Sequence, residues 1–305
     1  MSDTRLGRSR VFRGMAAALV LAGVTGVVGV ATAGGAAAAV TTVVQAHSGT
    51  DAGTVKKSAV AQCPAGTRVF GGGGDIVGGG HGVALTGLVP AAAPSGRGLD
   101  SFTATAEADP AGYSAAWSVY AYAVCGSAAN LSIQRVTLTA TGREDRLQTG
   151  VTCPTGTAPL GIGAAVGNGT GHVVLNALLG NYTRNAFGQL TGFASAGAFV
   201  GGRGAAAGWT LTSYAVCATP LPGLAYRFAD SGIDTGDDKA ASVECPPGTR
   251  TYASGGYVSA QSGEVHFDRM VPHGAAWTGA DVEGRTDLDG FGLNWFTEAE
   301  AICAA

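Results

Sequence analysis

The sequence predicts an all-β protein built of three pseudo-equivalent repeats, each of about four to five strands. Three observations carry that reading. The six cysteines fall into two phrases that each occur three times: CPAGTRVF, CPTGTAPL and CPPGTRTY open at Cys63, Cys153 and Cys245, and WSVYAYAVC, WTLTSYAVC and WFTEAEAIC close at Cys125, Cys217 and Cys303. Trp117, Trp209 and Trp295 each stand eight residues before the closing cysteine. Behind the N-terminal region no segment carries a helical i, i+3, i+4, i+7 stripe, whereas short β-branched or aromatic runs bounded by polar residues and Gly recur.

The chain starts with an address. Arg5, Arg8, Arg10 and Arg13 precede an uncharged stretch from Met15, and small residues follow at Ala31-Thr32-Ala33 and Ala37-Ala38-Ala39. Basic start, apolar middle and small-residue exit read as a secretory signal peptide over 1–39. The rival is a membrane anchor, which needs about 20 apolar residues in a row. No Cys is available there for lipidation, and no adjacent Arg pair supports the twin-arginine route. Removing the leader takes away four Arg and one Asp, so the net charge moves from −3 to −6. The mature chain is expected to be extracellular, with no span left in it and no nucleic-acid partner.

The repeats run over 40–130, 131–222 and 223–305. Their columns stay matched without gaps far beyond the first cysteine: Val83, Val173 and Val265 lie 20 residues on, and Leu88, Leu178 and Met270 lie 25 on. VTTVVQ, LSIQRVTLT and LAYRFA open the repeats as short strands and are expected to bridge between units. The joining segments 126–152 and 218–244 hold strand-like runs rather than a flexible linker, so 40–305 reads as one β domain and not as three beads.

After each first cysteine comes a Gly-rich run. Neither GGGGD nor GIGAAVG carries the Lys-Ser/Thr of a phosphate loop. Gly71, Gly73, Gly161, Gly163 and Gly255 keep alternate positions, which suits a strand pressed against another backbone where a Cβ would clash.

An even cysteine count behind a secretory leader implies disulfides. Symmetry selects Cys63–Cys125, Cys153–Cys217 and Cys245–Cys303, each closing a loop worth about 4 kcal/mol in the chain-entropy model. No C-x2-C is present for zinc or redox work.

Chemistry is sparse. His81, His172 and His266 lie 18, 19 and 21 residues after their cysteines, so no column is shared and no repeated His site is expected. HExxH and G-x-S-x-G are absent. The acidic run DSGIDTGDD reads as a solvated loop, since it lacks the spacing and closing Glu of an EF-hand. The Trp column reads as core. Trp277 aligns loosely with Phe102 and Phe193 and reads as core too. No catalytic, cofactor or metal residue is assigned.

The C-P-x-G-T…G-G…W-x7-C unit resembles repeats of secreted proteins from high-GC actinobacteria, a likeness that implies location but no particular chemistry. The Cys-Pro-x-Gly opening with VALTGL at 83–88 is also similar to the vitelline membrane outer layer protein family. That resemblance implies a β-prism of three sheets about a pseudo-threefold axis. This chain departs from it in its longer units and in lacking an Asp-Asp-Thr-Ala-Leu run. The function expected is a secreted, non-catalytic protein that binds a glycan or another cell-surface molecule. One alternative is a secreted hydrolase whose acid and base come from Asp281, Glu283, Asp287 and Asp289 of the third repeat. Another is a purely structural envelope role.

Overall fold

The computed structural model describes residues 42–94, 98–109, 113–184, 186–202, 204, 207–274 and 276–305, so the expected leader lies outside the described residues. Each repeat folds into six strands rather than four or five. The first holds β1 (Thr42–His47), β2 (Lys56–Gln62), β3 (Arg68–Val77), β4 (Val83–Ala91), β5 (Ser101–Ala108) and β6 (Ser118–Gly126). The second holds β7 (Ser132–Thr139), β8 (Arg146–Thr152), β9 (Ala158–Gly167), β10 (Val173–Arg184), β11 (Leu190–Val200) and β12 (Thr210–Ala218). The third holds β13 (Ala225–Asp230), β14 (Asp238–Glu244), β15 (Arg250–Val258), β16 (Val265–His273), β17 (Gly279–Thr286) and β18 (Thr297–Ala304). The strand easiest to miss is the one before each first cysteine. In KKSAVAQ every second residue is buried, but the buried set is Lys57, Ala59 and Ala61, which gives a weak hydrophobic alternation.

These strands form three open, six-stranded antiparallel sheets. Sheet I runs β1-β6-β3-β16-β17-β14, sheet II β2-β5-β4-β9-β12-β7 and sheet III β13-β18-β15-β10-β11-β8. Each sheet takes three strands from one repeat and three from another, and the pairing passes cyclically round all three repeats. The opening strands β1, β7 and β13 do not bridge. Each pairs with the last strand of its own repeat and forms a sheet edge.

Repeats meet at three short joints: Gly87↔Ala165 and Leu88↔Ala164, Ala177↔Tyr257 and Leu178↔Gly256, and Arg269↔Asp75 and Met270↔Gly74. The two pairs at each joint occupy the same columns of the repeat alignment. Only two residue pairs form at each joint before the strands splay. The glycine column fits this crossing. A Cβ on Gly163 would lie 2.5 Å from the Leu88 carbonyl oxygen, and one on Gly255 would lie 2.5 Å from that of Leu178. On Gly73 it would run into the Met270 carbonyl oxygen. The same backbone approach therefore excludes a side chain three times over.

At one end of the pseudo-threefold axis Phe70, Leu160 and Tyr252, which share a column, are fully buried together, with the Phe70 and Tyr252 rings 5.1 Å apart. The disulfides Cys63–Cys125, Cys153–Cys217 and Cys245–Cys303 are formed. Each joins the end of a strand in one sheet to a strand of another, so sheets I and II, II and III, and III and I are all stapled.

Trp117, Trp209 and Trp295 are buried. Beneath Trp117 and Trp295 lie the buried ammonium groups of Lys57 and Lys239, 4.6 and 5.2 Å from the ring centres. These lysines pair with Asp51 and Asp234. In the second repeat Leu147 takes the lysine's column, and the Trp209 indole donates to the Glu144 carbonyl at 3.3 Å. The grouping of Phe102, Phe193 and Trp277 is corrected by the strand register. Ala104, Ala196 and Val282 face equivalent joint residues, which puts Phe102 with Ala194 and Ala280. Phe102 is buried, Phe193 is exposed, and Trp277 is half-buried in a turn with φ +56°.

Two outcomes follow from this construction. The segment 131–222 expressed alone has its strands committed to two different sheets and lacks half of each. It is expected to give no cooperative, folded monomer by thermal melting, and a sharp transition would contradict the shared-sheet architecture. Trp209→Ala in the whole protein is expected to cost about 3–5 kcal/mol in a denaturant titration, as for other buried Trp truncations.

Candidate functional site

Opposite the Phe70 plug, loops of all three repeats close around the axis. Three equivalent backbone bonds build the rim: Asp109 N–H to Gly82 O, Gly201 N–H to His172 O, and Asp287 N–H to Glu264 O, at 2.8, 2.7 and 2.7 Å. Inside the rim is a polar pocket whose lining includes His81, His172, His266, Glu107, Asp287 and Asp289. Its cavity volume is about 30 Å³, enough for one or two water-sized groups.

The three histidines come from three different columns, which is why the repeat alignment gave no hint of them. Columns one to three residues apart converge where strands from three directions meet an axis. His81 donates from Nδ1 to the Thr286 carbonyl at 2.9 Å. His266 is buried and its Nε2 has no hydrogen-bond partner within the protein. Burial, with His81 and Arg285 adding to it, pushes His266 down to about 4, so it is neutral near pH 7. Glu107 is held by Lys56 at 2.7 Å and by the Gly171 N–H at 2.7 Å. Asp287 caps its own turn through the Asp289 and Gly290 N–H groups, and burial raises it. Among the described residues no group of three or more His, Cys, Asp or Glu side chains is arranged to hold a metal ion.

The four acids of the hydrolase alternative divide between two places. Asp287 and Asp289 line the axial pocket, whereas Asp281 and Glu283 lie on β17 in sheet I. There Arg269 reaches Asp281 at 3.4 Å and Glu283 at 3.1 Å. His273 bridges Asp281 and Glu244 at 2.6 and 2.7 Å. Burial works to lower His273, but its hydrogen bonds to Glu244 and Asp281 outweigh that and raise it.

Four buried acids, Asp100, Glu107, Asp268 and Glu300, carry no signal in the sequence, and the last two are the most deeply buried. Glu300 is fully buried and accepts a hydrogen bond from the Gly180 N–H at 2.9 Å. It stands in the column of Tyr122 and Tyr214, and Gly180 stands in the column of Pro90 and Pro272. At the other two joints the proline brings no N–H into the gap where strands splay. At the third joint a glycine does, and Glu300 satisfies it. Burial raises the Glu300 carboxyl well above its usual range. Asp268 sits at the bulge of β16, 3.5 Å from Arg285. Burial pushes it up to about 7 despite Arg285.

Neither a known family model nor a curated protein sequence matches this chain. No helix among the described residues is long and apolar enough to cross a membrane.

Asp268 gives a pH prediction. The unfolded carboxyl titrates near 3.9, and the folded one near 7. Between those values the folded state keeps a proton that the unfolded state has lost, so this group's contribution to stability falls as pH rises through the window. Asp268→Asn removes that loss. The Tm of the variant minus that of the parent is expected to climb from pH 4 to pH 7, and a flat difference would contradict the assignment.

Proposed function

We propose that this is a secreted, non-catalytic extracellular protein that binds a hydroxyl-bearing ligand, a glycan or another surface molecule, at the axial pocket. The observation that carries the reading is the pocket itself. It gathers polar groups from every repeat, yet its volume of about 30 Å³ admits a hydroxyl and not a sugar ring. A ligand is therefore held by its edge, with its reacting bonds outside. A staple in each of the three seams suits an oxidising compartment, and the basic, apolar, small-residue start suits export.

The hydrolase alternative asks for two carboxylates flanking one scissile bond. Asp281 and Glu283 are engaged by Arg269, and Asp287 by its own turn. A structural envelope role is the remaining alternative and predicts neither binding nor turnover.

The test is to screen the mature protein against a glycan panel and against glycosidase and esterase substrates. Binding without turnover is expected, weakened about tenfold by Asp287→Asn through the loss of a charged hydrogen-bonding group. Turnover abolished by one carboxylate substitution would overturn this reading in favour of the hydrolase.

A further inference from the structure

Each repeat places a bulge in the strand that makes its joint, and each bulge carries a buried polar residue: Thr86, Asn176 and Asp268. These share one column. In all three a side-chain oxygen (Thr86 Oγ1, Asn176 Oδ1, Asp268 Oδ1) has no hydrogen-bond partner within the protein. Buried orphan oxygens of this kind are costly, and three in register are a built feature of the fold.

What lies beside them differs. Across the sheet from the bulge, sheet I places Arg269, Glu283 and Ala240, and the first two form an ion pair at 3.1 Å. Sheet II places Gly87, Thr105 and Ser58, the latter two hydrogen-bonded at 2.9 Å. Sheet III places Ala177, Gly197 and Gln148. There the row is left low, and a groove of about 390 Å³ opens over it, lined by Gln148, Thr149, Leu179, Ser195, Gly197 and Tyr257 among others. Asn176 Oδ1 stands 2.7 Å from where a Cβ on Gly197 would sit, so that buried oxygen lies against the bare glycine that lines the groove. Tyr257 forms a wall and is braced edge-on by Phe296, with ring centres 6.1 Å apart.

We propose that this groove on sheet III is a second binding site, which takes one or two rings of a neutral saccharide. The occupant follows from the lining. No charged residue contributes to it, which disfavours an ionic ligand. Buried against the floor at Gly197 is an acceptor that lacks a donor, and a sugar hydroxyl is a donor. An aromatic wall suits the apolar C–H face of a pyranose, while Gln148, Thr149 and Ser195 suit its polar edge. The volume is that of a ring or two, unlike the axial pocket, with which the groove shares no residue.

The experiment is calorimetric titration of the mature protein with cellobiose, maltose and chitobiose, alongside Tyr257→Ala, Asn176→Leu and Asp287→Asn. At least one disaccharide is expected to bind, and Tyr257→Ala and Asn176→Leu are each expected to weaken it about tenfold or more. Asn176→Leu should not lower Tm, because the oxygen it removes has no partner; a merely structural Asn176 would lower it. If that variant fails to fold, half-buried Tyr257 decides alone. Absence of binding by all three sugars, or binding indifferent to Tyr257→Ala, overturns the groove. Loss in Asp287→Asn alone puts the ligand at the axial pocket, which overturns the groove and leaves the preceding reading standing.

Discussion

Everything in this fold depends on how closely three pairs of backbones can cross. At each joint a strand of one repeat meets a strand of another for two residue pairs, and a glycine facing a carbonyl oxygen makes the approach sterically allowed. Gly73, Gly163 and Gly255 hold that position against Met270, Leu88 and Leu178. With a Cβ there, the joint opens, the sheet breaks into two three-stranded halves, and the cyclic pairing of repeats is lost. Three of the chain's 51 glycines thus stand where the architecture has no alternative, and the disulfides reinforce the same seams from outside the joints.

A symmetric frame does not impose symmetric contents. The same column holds Pro90, Gly180 and Pro272, and the facing column answers with Tyr214, Glu300 and Tyr122. A backbone N–H present at only one joint is met by a carboxyl present at only one joint. The Trp column behaves alike: the first and third repeats set a buried lysine under the indole ring, and the second has Leu147 in the lysine's column. Substitutions of this kind are compensated locally, within one layer of packing, so each repeat has diverged without disturbing the pairing that the other two depend on.

That freedom bears on function. Joint geometry fixes the backbone of the three outer faces, but the side chains across each bulge are free to differ, and they do: an ion-pair network in sheet I, hydroxyl pairs in sheet II, a neutral groove in sheet III. The axial pocket follows the opposite logic. It exists because three repeats converge, and its polar groups are contributed jointly, so no repeat contains it.

The sequence by itself determined the all-β class, the threefold repeat, the pairing of cysteines and the closeness of backbones at the glycine column. All of these leave a periodic trace: a phrase repeated at fixed spacing, or an alternation along one strand. It did not determine the sixth strand, whose buried positions are Lys57, Ala59 and Ala61 in the first repeat and mix polar, small and Val residues in the other two, nor the exchange of strand triplets between repeats, which leaves no mark within any one of them. Only the tertiary structure brought His81, His172 and His266 to one pocket, because convergence on an axis joins columns that the alignment keeps apart. It alone separated Asp281 and Glu283 from Asp287 and Asp289, because a strand end and the turn beyond it face different surroundings although they are neighbours in the chain. And it alone left Asn176 without a partner, since that depends on a glycine in a different strand.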